Sequence, residues 1–528
     1  MESVAQVNTG TASAVTESLW RRWIIALTVS AAAVLEIIDT SIVNVALPHI
    51  QGNLGATLSE VGWVITGYSV ANAIVIPLTA WLSSSFGKKG YFIFSLIGFT
   101  LASLLCGLAD SLPLLVTARV IQGLCGGGLL AKAQAILFET FPPEEQAAAQ
   151  GLFGVGVMVG PVLGPTLGGY LTDTFDWRMI FFINLPLGML AILLAWLFLP
   201  LDQAGRRSNT VDWLGISLLV VAVGSLQVVL EEGQQEDWFS SRAIVSLSLA
   251  AIVGGVLFVL RELKASAPAV DLRVLRHKSL TAGSLYSLVL GMGLYGATFA
   301  VPIFAQNILH YTAAQTGFLM VPGAIASALM MPLFARLGGK VDARLMIAGG
   351  AGLNILAMLQ LSTMNPNTSV DSLFWPLILR SVGSIFMFMP LSTASIGPLP
   401  KAEIGTATGF YNLSRQLGGS IGVAALTTIL DQRQNFHRAI LSEDINPYNP
   451  AYNGYLHQVS GLFLPRGGDN SAAQQGAMKL IDSVLNTQAS ILSFADTFWV
   501  VAMVFLVSLP LLLFLNNGKN ASAANAAH

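Results

Sequence analysis

The stretch Gly156–Gly169 reads GVMVGPVLGPTLGG and has a glycine at every fourth position from Gly156 to Gly168. Pro161 and Pro165 each follow one of these glycines, and the residues between them are mostly apolar. In a membrane helix, this spacing puts the glycines on one face, where a neighbouring helix can approach closely. The prolines remove backbone donors, which lipid tolerates only where other groups satisfy the freed carbonyls. The stretch therefore predicts a membrane-buried helix packed tightly against a second helix.

The composition indicates a membrane protein with many spans. The chain has 528 residues, of which 54% are hydrophobic and 10% charged, and its mean hydropathy is +0.68. A soluble chain of this length carries far more charge. The formal net charge is −2 and no basic run is present, which argues against nucleic-acid binding. Cys106 and Cys125 lie in apolar spans and are interpreted as packing thiols.

Motifs of enzymes are missing from the sequence. It contains no phosphate-binding loop of the form GxxxxGK[ST], no His and Cys cluster at zinc-ligand spacing, and no nucleophile elbow. The sequence therefore predicts a transporter and not an enzyme, with no metal and no cofactor.

Segments of about 20 apolar residues predict membrane-spanning helices. The sequence has fourteen such segments, so the predicted fold is an all-α polytopic membrane protein. They lie near residues 23–47, 60–83, 90–109, 112–137, 148–171, 180–200, 212–231, 242–262, 280–305, 315–335, 344–363, 374–396, 404–430 and 490–515.

The positive charges predict the orientation. Of the 26 Lys and Arg residues, 16 fall in loops on the side of the N-terminus and 6 in loops on the opposite side. Four of these six lie in one long loop, which the positive-inside rule discounts. Because the number of spans is even, both termini are expected on the inner, cytoplasmic side.

The chain also repeats itself. PPEEQAAAQG (142–151) matches PKAEIGTATG (400–409) at Pro, Glu, Ala and Gly, and the span before each string carries one arginine, Arg119 or Arg380. The repeat predicts two six-helix bundles in the same orientation with two extra helices between them. The predicted divisions are a disordered cytoplasmic tail at 1–20, a bundle at 21–205, two inserted helices at 206–264, a bundle at 265–515 with an outer loop at 431–489, and a cytoplasmic tail at 516–528.

The first span carries two acids. Glu36 and Asp39 are three residues apart and share a helix face. A carboxylate at that depth costs about 2.5–3.5 kcal/mol on insertion scales, so it has to be protonated, paired or hydrated. At about 1.5 Å per residue, Asp39 and Arg119 lie at similar depths from the outer side, which predicts an ion pair. The pair is either a permanent structural salt bridge or part of proton exchange, and the second acid favours exchange.

Several strings resemble the fourteen-span drug:proton antiporters of the major facilitator superfamily, and above all their EmrB-like members. They are DTSIVNVALP (39–48), TARVIQGLCGG (117–127), the glycine stretch, WR with FFINLP (177–186), and DWLG (212–215). The resemblance implies that Arg119 takes part in proton transfer. It also implies that the glycine stretch is the family's antiporter motif, formed by Gly156, Gly160, Pro161, Gly164, Pro165, Gly168 and Gly169.

Other candidate residues are less constrained. Glu36 is not required by the family signature, so it is a second proton site, a recognition residue for cationic drugs, or a neutral hydrogen-bonded acid. Arg380 either repeats the role of Arg119 in the second half or only supports packing, and Arg415 needs a partner that the sequence does not identify. The candidate substrate-pocket residues are Arg415, Arg380, Asn44, Gln122 and Met387.

Two surface features complete the resemblance. The family's turn between helices 2 and 3 corresponds to Gly87, Lys88 and Lys89, which predicts an inner gate, although Ser84 replaces the usual acid. The outer loop is long, and long loops in compact folds are usually functional or disordered. Its candidate docking residues for an adaptor are Asn446, Pro447, Tyr448, Asn449 and Pro450.

The resemblance implies multidrug efflux across a bacterial inner membrane by alternating access, driven by the proton gradient. It implies two partners, a periplasmic EmrA-like membrane-fusion adaptor and a TolC-like outer-membrane channel, with hydrophobic drugs as cargo. Two alternatives stay open at this point. One is a dedicated exporter of fatty acids or a siderophore, and the other is a non-transporting membrane sensor or scaffold, which the buried ionisable groups disfavour.

Overall fold

The computed structural model describes residues 19–200, 211–337, 341–366, 368–463 and 470–515. Within these ranges every regular element is helical, so the all-α prediction is confirmed. The predicted tails lie outside the described residues, apart from Leu19 and Trp20, and so does the predicted boundary at 205–206.

Eighteen α-helices are present in the described part of the chain. In order they are α1 (Leu19–Leu54), α2 (Leu58–Val75), α3 (Thr79–Phe86), α4 (Lys88–Gly107), α5 (Leu112–Gly126), α6 (Leu129–Thr140), α7 (Pro143–Thr174), α8 (Met179–Phe182), α9 (Asn184–Phe198), α10 (Trp213–Glu232), α11 (Arg242–Lys264), α12 (Lys278–Asn307), α13 (Ala313–Leu337), α14 (Ala343–Leu361), α15 (Val370–Ile396), α16 (Ile404–Glu443), α17 (Pro450–Phe463) and α18 (Asn470–Ser508).

The predicted spans correspond to these helices singly or in consecutive groups. Twelve helical segments in the described ranges are long and apolar enough to cross a membrane. The other two predicted spans fall on α13, whose apolar core is the shorter Gln315–Met331, and on α16, a 40-residue helix with many polar residues. The count of fourteen therefore stays a prediction for α13 and α16. Below, inner and outer follow the predicted orientation.

The fourth predicted span consists of two helices, because it is interrupted by consecutive glycines between α5 and α6. A Cβ atom on Gly123 would lie 2.6 Å from the carbonyl oxygen of Tyr68, and one on Gly127 would lie 2.7 Å from Cα of Asn72. Only glycine permits this approach of α5 to α2. The interruption also leaves the first backbone N–H groups of α6 without intrahelical acceptors.

The helices form two halves with an inserted pair between them. In the first half α7 packs along α1, and in the second half α16 packs along α12. The opposite side of α7 contacts α13 and α15, so this helix forms one seam between the halves. The inserted helix α10 contacts both α2 and α16. Its hydrogen bonds reach each half, through Thr66 Oγ1 to Glu232 Oε1 at 2.6 Å and through Gln227 Nε2 to Ser420 Oγ at 2.6 Å.

The segment 431–489, predicted as a loop, is helical over most of its described length. α16 continues outward to Glu443, and α18 begins at Asn470. α17 packs on α18 through Leu456, Val459, Ala477 and Ile481. These apolar residues have spacings of three and four, which is the helical pattern that the polar composition of the segment obscured. Residues 464–469 lie outside the described ranges.

Candidate functional site

The Asp39 carboxylate lies at the centre of a buried hydrogen-bond network. The side chain has no exposed surface. Arg119 Nη1 donates to its Oδ2 at 2.5 Å, while Gln122 Nε2 and Asn184 Nδ2 donate to its Oδ1 at 3.0 Å and 2.7 Å. The predicted ion pair is therefore present. With three donors around one buried carboxylate, the ionised form of Asp39 is fully compensated.

Arg119 is equally well partnered. Its Nε donates to the carbonyl oxygen of Val64 at 3.1 Å, and Nη1 also donates to Gln122 Oε1 at 2.7 Å. The guanidinium carbon lies 4.1 Å from the ring centre of Tyr68, which is a cation–π contact. Gln122 thus belongs to the ion-pair network and has no exposed surface, and its role in a substrate pocket stays a prediction.

Glu36 points away from Arg119, to different partners. Its Oε1 accepts from Asn72 Nδ2 at 2.8 Å, and its Oε2 accepts from the backbone N–H of Leu130 at 2.9 Å. The second donor is one of the free N–H groups at the start of α6, where a helix favours a negative charge. Both oxygens act as acceptors, which suits an ionised carboxylate more than a neutral acid. Glu36 is 5% exposed and has no ion-pair partner among the described residues.

Sequence reasoning missed three polar residues of this region. Asn184 begins α9 after a break at Ile183, and its amide bonds both Asp39 and Ser103. Asn72 binds Glu36, and Tyr68 covers Arg119. Each is a polar or amphipathic residue within an apolar span, and buried polar side chains of this kind usually have partners. That rule could have identified them as members of the site, though not their partners.

The predicted glycine stripe faces α1 along the stretch that carries both acids. A Cβ atom would lie 2.4 Å from Val34 Cγ2 at Gly156, 2.6 Å from Ile37 Cγ2 at Gly160, and 1.9 Å from Ser41 Oγ at Gly164. At Gly168 it would lie 2.9 Å from Ile42 Cγ1. Gly169 is buried as well, and α7 remains helical through Pro161 and Pro165. The absence of side chains on this face therefore permits the close α1–α7 contact.

A second glycine contact, which the sequence analysis did not identify, joins α12 and α16. A Cβ atom on Gly418 would lie 2.1 Å from the carbonyl oxygen of Leu288, and one on Gly422 would lie 2.6 Å from that of Met292. On the α12 side, a Cβ atom on Gly291 would lie 2.2 Å from the carbonyl oxygen of Arg415. The signal was present in the string GGSIG (418–422), but it lacks prolines and the regular fourfold spacing.

Arg380 is buried in the second half with a single side-chain partner. Its Nη1 donates to Thr298 Oγ1 at 3.2 Å, and its Nε has no partner among the described residues. A cavity of about 20 Å³ adjoins the guanidinium and is lined by residues of α7, α12, α13 and α15. Arg380 therefore does not have the carboxylate that Arg119 has.

Arg415 belongs to a chain of polar side chains that crosses from one half to the other. Its Nη2 donates to Asn412 Oδ1 at 2.8 Å, and Asn412 Nδ2 donates to Gln134 Oε1 at 2.7 Å. The guanidinium carbon lies 5.3 Å from the ring centre of Phe388. Within the described ranges, Nε and Nη1 of Arg415 have no partner. The partner that the sequence did not identify is thus a neutral amide.

The other two pocket candidates do not join these residues. Met387 has no exposed surface and accepts a long hydrogen bond from Tyr286 Oη at 3.9 Å, within the core of the second half. Its neighbour Phe388 instead faces α7, where a Cβ atom on Gly154 would touch it. Asn44 is exposed on α1. Met387 thus points into its own half, and its contact with cargo stays a prediction.

The inner turn has its own charges. Gly87 has a φ of 80°, which favours glycine, and it separates α3 from α4. Lys88 Nζ lies 2.7 Å from Glu139 Oε2, so α6 supplies the acid that the turn lacks at Ser84. Lys89 Nζ donates to the carbonyl oxygens of Trp196 and Leu199 at 2.7 Å and 2.8 Å. Beside the turn lies a groove of about 650 Å³ between α3, α6, the 267–271 segment and the start of α16.

The adaptor candidates form the outer tip between α16 and α17. The tip is ordered by Asn446 Oδ1 and Asn449 Oδ1, which accept from the backbone N–H groups of Tyr448 and Ala451 at 3.0 Å each. Between them Tyr448 is 93% exposed, and Pro447 and Pro450 restrict the backbone. An aromatic side chain held this far out of the fold is available for contact with another molecule.

Comparisons with known proteins agree with this architecture. The Major Facilitator Superfamily model matches residues 29–423. The chain is 35% identical to the multidrug export protein EmrB of Escherichia coli strain K12, over 93% of this chain and 94% of that protein. It is 31% identical to the fatty acid resistance protein FarB of Neisseria gonorrhoeae, over 92% and 94%. The solved structure of the proton:xylose symporter XylE shares the fold, with a TM-score of 0.59, 12% identity, and coverage of 93% of this chain and 95% of that one.

Proposed function

The chain is a multi-pass membrane protein of the major facilitator superfamily, and on this premise we propose that it exports hydrophobic drugs in exchange for protons. The similarity to EmrB of Escherichia coli over nearly the whole chain supports multidrug export. The observation that carries the proton coupling is the buried Asp39–Arg119 pair. We propose a bacterial inner-membrane location with both termini in the cytoplasm, as the distribution of Lys and Arg predicts.

Proton exchange at Asp39 follows from its partners. When Asp39 is ionised, Arg119 holds it and the network is complete. When a proton neutralises Asp39, the attraction to Arg119 is lost, and the arginine keeps only Gln122 and the carbonyl oxygen of Val64 as acceptors. The two protonation states thus favour different packing of α1, α2 and α5. A proton gradient can drive a conformational cycle through that difference.

Alternating access requires a seam that can open. α7 provides it, because its glycine face binds α1 while its other face meets α13 and α15 through apolar side chains such as Val162, Met320 and Ala324. The tight α1–α7 contact keeps these two helices together in one half. Among the described residues, no ion pair joins α7 to α13 or α15, so separating the halves along this seam breaks apolar contacts and no charge pair.

The test is transport in proteoliposomes. A pH difference should drive the uptake of ethidium into inverted vesicles, and added drug should in turn produce measurable proton flux. A chemically varied panel separates a multidrug exporter from a dedicated exporter of fatty acids or a siderophore. A protein that moves neither drugs nor fatty acids under any gradient would be the sensor or scaffold, and the proposal would be wrong.

We further propose that export is completed by a periplasmic adaptor and an outer-membrane channel, with docking at the outer tip. The helices α16 and α18 extend outward far beyond what a connection requires, and the turn that follows α16 exposes Tyr448. Deleting 446–470 would also remove α17 and uncover Ala477 and Ile481, so a smaller change is a sharper test. Tyr448→Ala should spare transport in proteoliposomes and remove resistance in cells and co-purification of the adaptor. Unchanged resistance in Tyr448→Ala cells, together with adaptor-free export, would indicate a single-component pump.

A further inference from the structure

Arg119 and Arg380 occupy matching places in the two halves. Each is the arginine of the fourth span of its half, and each donates to a residue of the first helix, Asp39 or Thr298. Asp39 lies twenty residues after the start of α1 at Leu19, and Thr298 lies twenty residues after the start of α12 at Lys278. The second half therefore keeps the arginine and its contact but has a neutral hydroxyl in place of the carboxylate.

In the described ranges, no carboxylate forms an ion pair with the guanidinium of Arg380. The helices that line its cavity, α7, α12, α13 and α15, carry carboxylates only near their ends, at Glu144, Glu145, Asp173 and Asp371. Arg380 is 7% exposed, and its Nε has no acceptor among the described residues. A buried cation without a counter-charge is costly, and the cost is relieved when an anion arrives.

The cavity beside Arg380 lies at the seam between α7 and the second half, and one side of it is lined by hydroxyl groups. Ser327 and Ser384 line it together with Thr298, and the hydroxyl of Ser327 is buried without a partner in the described structure. Val157, Met158 and Pro161 of α7 form the opposite, apolar wall. At about 20 Å³ the cavity holds a group the size of one water molecule or one oxyanion oxygen. The apolar remainder of a ligand would follow the α7 seam as the halves separate.

We propose that Arg380 binds the anionic head of the cargo, a carboxylate or a comparable single negative charge, with the unpartnered hydroxyl of Ser327 as an additional donor. The ligand then takes the place relative to Arg380 that Asp39 takes relative to Arg119. This inference rests on the proposed export function, since it assigns the site to the cargo. The two halves then have different functions. The first half binds the proton on its own carboxylate, Asp39, and the second half binds the carboxylate of the cargo at Arg380.

The test compares one amphiphile with and without charge. Binding of dodecanoate and of dodecanamide is measured on the full chain in lipid nanodiscs, with Arg380→Gln, Thr298→Asp and Thr298→Asn as variants. The wild type should prefer dodecanoate by about 10- to 100-fold, since hydrogen bonds to charged groups are the strong ones. Arg380→Gln should abolish the preference. Thr298→Asp should also abolish the preference, because it gives Arg380 an internal carboxylate. Thr298→Asn, whose side chain has the same shape as aspartate but no charge, should keep the preference.

The variants also exclude trivial explanations. Thr298→Asp should raise the thermal unfolding temperature by pairing a buried cation, so its loss of binding cannot come from misfolding. A preference that survives in Thr298→Asp, or that is lost equally in Thr298→Asn, would overturn the proposal. If chloride binding depends on Arg380 while dodecanoate binding does not, the site serves a small inorganic anion and the cargo assignment is wrong. Ethidium export in the same preparation without any carboxylate preference would contradict this inference alone, whereas the absence of proton-driven export would contradict the proposed function.

Discussion

In the first half of the molecule, the arginine of the fourth span is bound to a carboxylate, a glutamine and a backbone carbonyl, and a tyrosine ring covers it. In the second half, the matching Arg380 donates to a threonine hydroxyl, and its Nε has no acceptor among the described residues. Arg415 in the same half donates to one asparagine side chain. Whereas the charged partners of the two halves differ, the packing of their helices is alike. Both halves join their first and fifth helices by glycines that allow close contact.

The two halves thus share their packing and differ in their charges. In each half a glycine of the fifth helix lies against the first helix, as Gly164 does against Ser41 and Gly418 against Leu288. The ionisable groups differ between the two bundles, because the buried acids described in them, Glu36 and Asp39, lie in the first half and the under-partnered arginines, Arg380 and Arg415, lie in the second. A transporter that couples a proton to a cargo needs two different sites, and an internal repeat provides two similar starting points.

The largest effect is expected from Asp39→Asn. The change leaves Arg119 buried without an anion, and breaking a buried pair on one side costs about 3–5 kcal/mol. It also removes the proton-binding group, so drug-stimulated proton flux in proteoliposomes should fall to background while the protein still inserts. Asp496→Asn is the matched control, because Asp496 pairs with Arg433 and His437 at a site that water reaches. Normal proton counterflow in Asp39→Asn would show that the pair is structural only.

The second-largest effects are expected from substituting the glycines at the helix contacts, and the two halves should differ in how much stability they lose. In Gly164→Ala the new methyl group meets the Ser41 hydroxyl, which can rotate, and the backbone N of Ile42 at 2.9 Å. In Gly418→Ala the three nearest atoms are all backbone atoms of Leu288, none of which can rotate away. We expect Gly418→Ala to lower the thermal unfolding temperature more than Gly164→Ala, and Gly164→Leu or Gly160→Leu to abolish transport. Detergent-solubilised thermal unfolding and ethidium transport measure the two effects. Wild-type transport by both leucine variants would show that the α1–α7 contact is not a close interface.

A smaller effect is expected from Glu36→Gln. The amide can accept one of the two hydrogen bonds that Asn72 and Leu130 donate, and it places an NH₂ group against the other donor. If Glu36 is a second proton site, proton-driven export of every drug should fall by roughly tenfold, in keeping with the loss of one hydrogen bond to a charged group. A loss confined to cationic drugs would instead identify Glu36 as a recognition residue. Unchanged export of all drugs would exclude both roles.

Much of this architecture could be predicted from the sequence, because hydropathy reports burial in lipid and a repeated Gly-Pro pattern reports close packing. Asp39 and Arg119 could be paired because two charges at the same depth have few alternatives to each other. The backbone partner of Glu36 could not be predicted, because the free N–H groups of an interrupted helix belong to the backbone and no residue type indicates them. In the outer segment the string AAQQGAMKLIDSVL (472–485) predicts a helix and lies in α18, but α17 was missed, because its pattern has only two buried apolar positions, Leu456 and Val459, among polar residues.

The direction of side chains around a helix limited the pocket prediction. Met387 and Phe388 are neighbours in sequence, yet one enters the core of its own half and the other faces α7. The two side chains point in different directions because successive residues of a helix are rotated by about 100°. Their shared apolar character does not indicate which of them faces α7. The position of Gln122 in the ion-pair network has a related cause. It lies three residues after Arg119 on the same helix face, and this spacing favours an interaction within the ion-pair network.

The smallest effect is expected from Asp212→Asn, which changes an ion pair outside both halves. Asp212 accepts from the backbone N–H of Gly215 at the start of α10 and pairs with Arg261 of α11 at 3.2 Å. Burial alone would raise the pKa of the Asp212 carboxyl, but the Gly215 hydrogen bond and Arg261 together hold the pKa below its ordinary value. A lowered pKa stabilises the fold above the unfolded-state value of about 3.9 and loses that contribution as the pH falls below it.

Because Arg261 is 44% exposed, solvent screens the Asp212 pair, and asparagine can still cap the helix. We therefore expect Asp212→Asn to cost only about 0.5 kcal/mol at pH 7, as for other exposed pairs, and to leave proton-coupled transport intact. The difference in thermal unfolding between wild type and Asp212→Asn should shrink as the pH falls below the unfolded-state pKa of about 3.9, and it should disappear once the pH is below the lowered pKa of the folded carboxyl. A loss of transport comparable to that of Asp39→Asn would mean that coupling is not confined to the first half, and the division between the two halves would have to be abandoned.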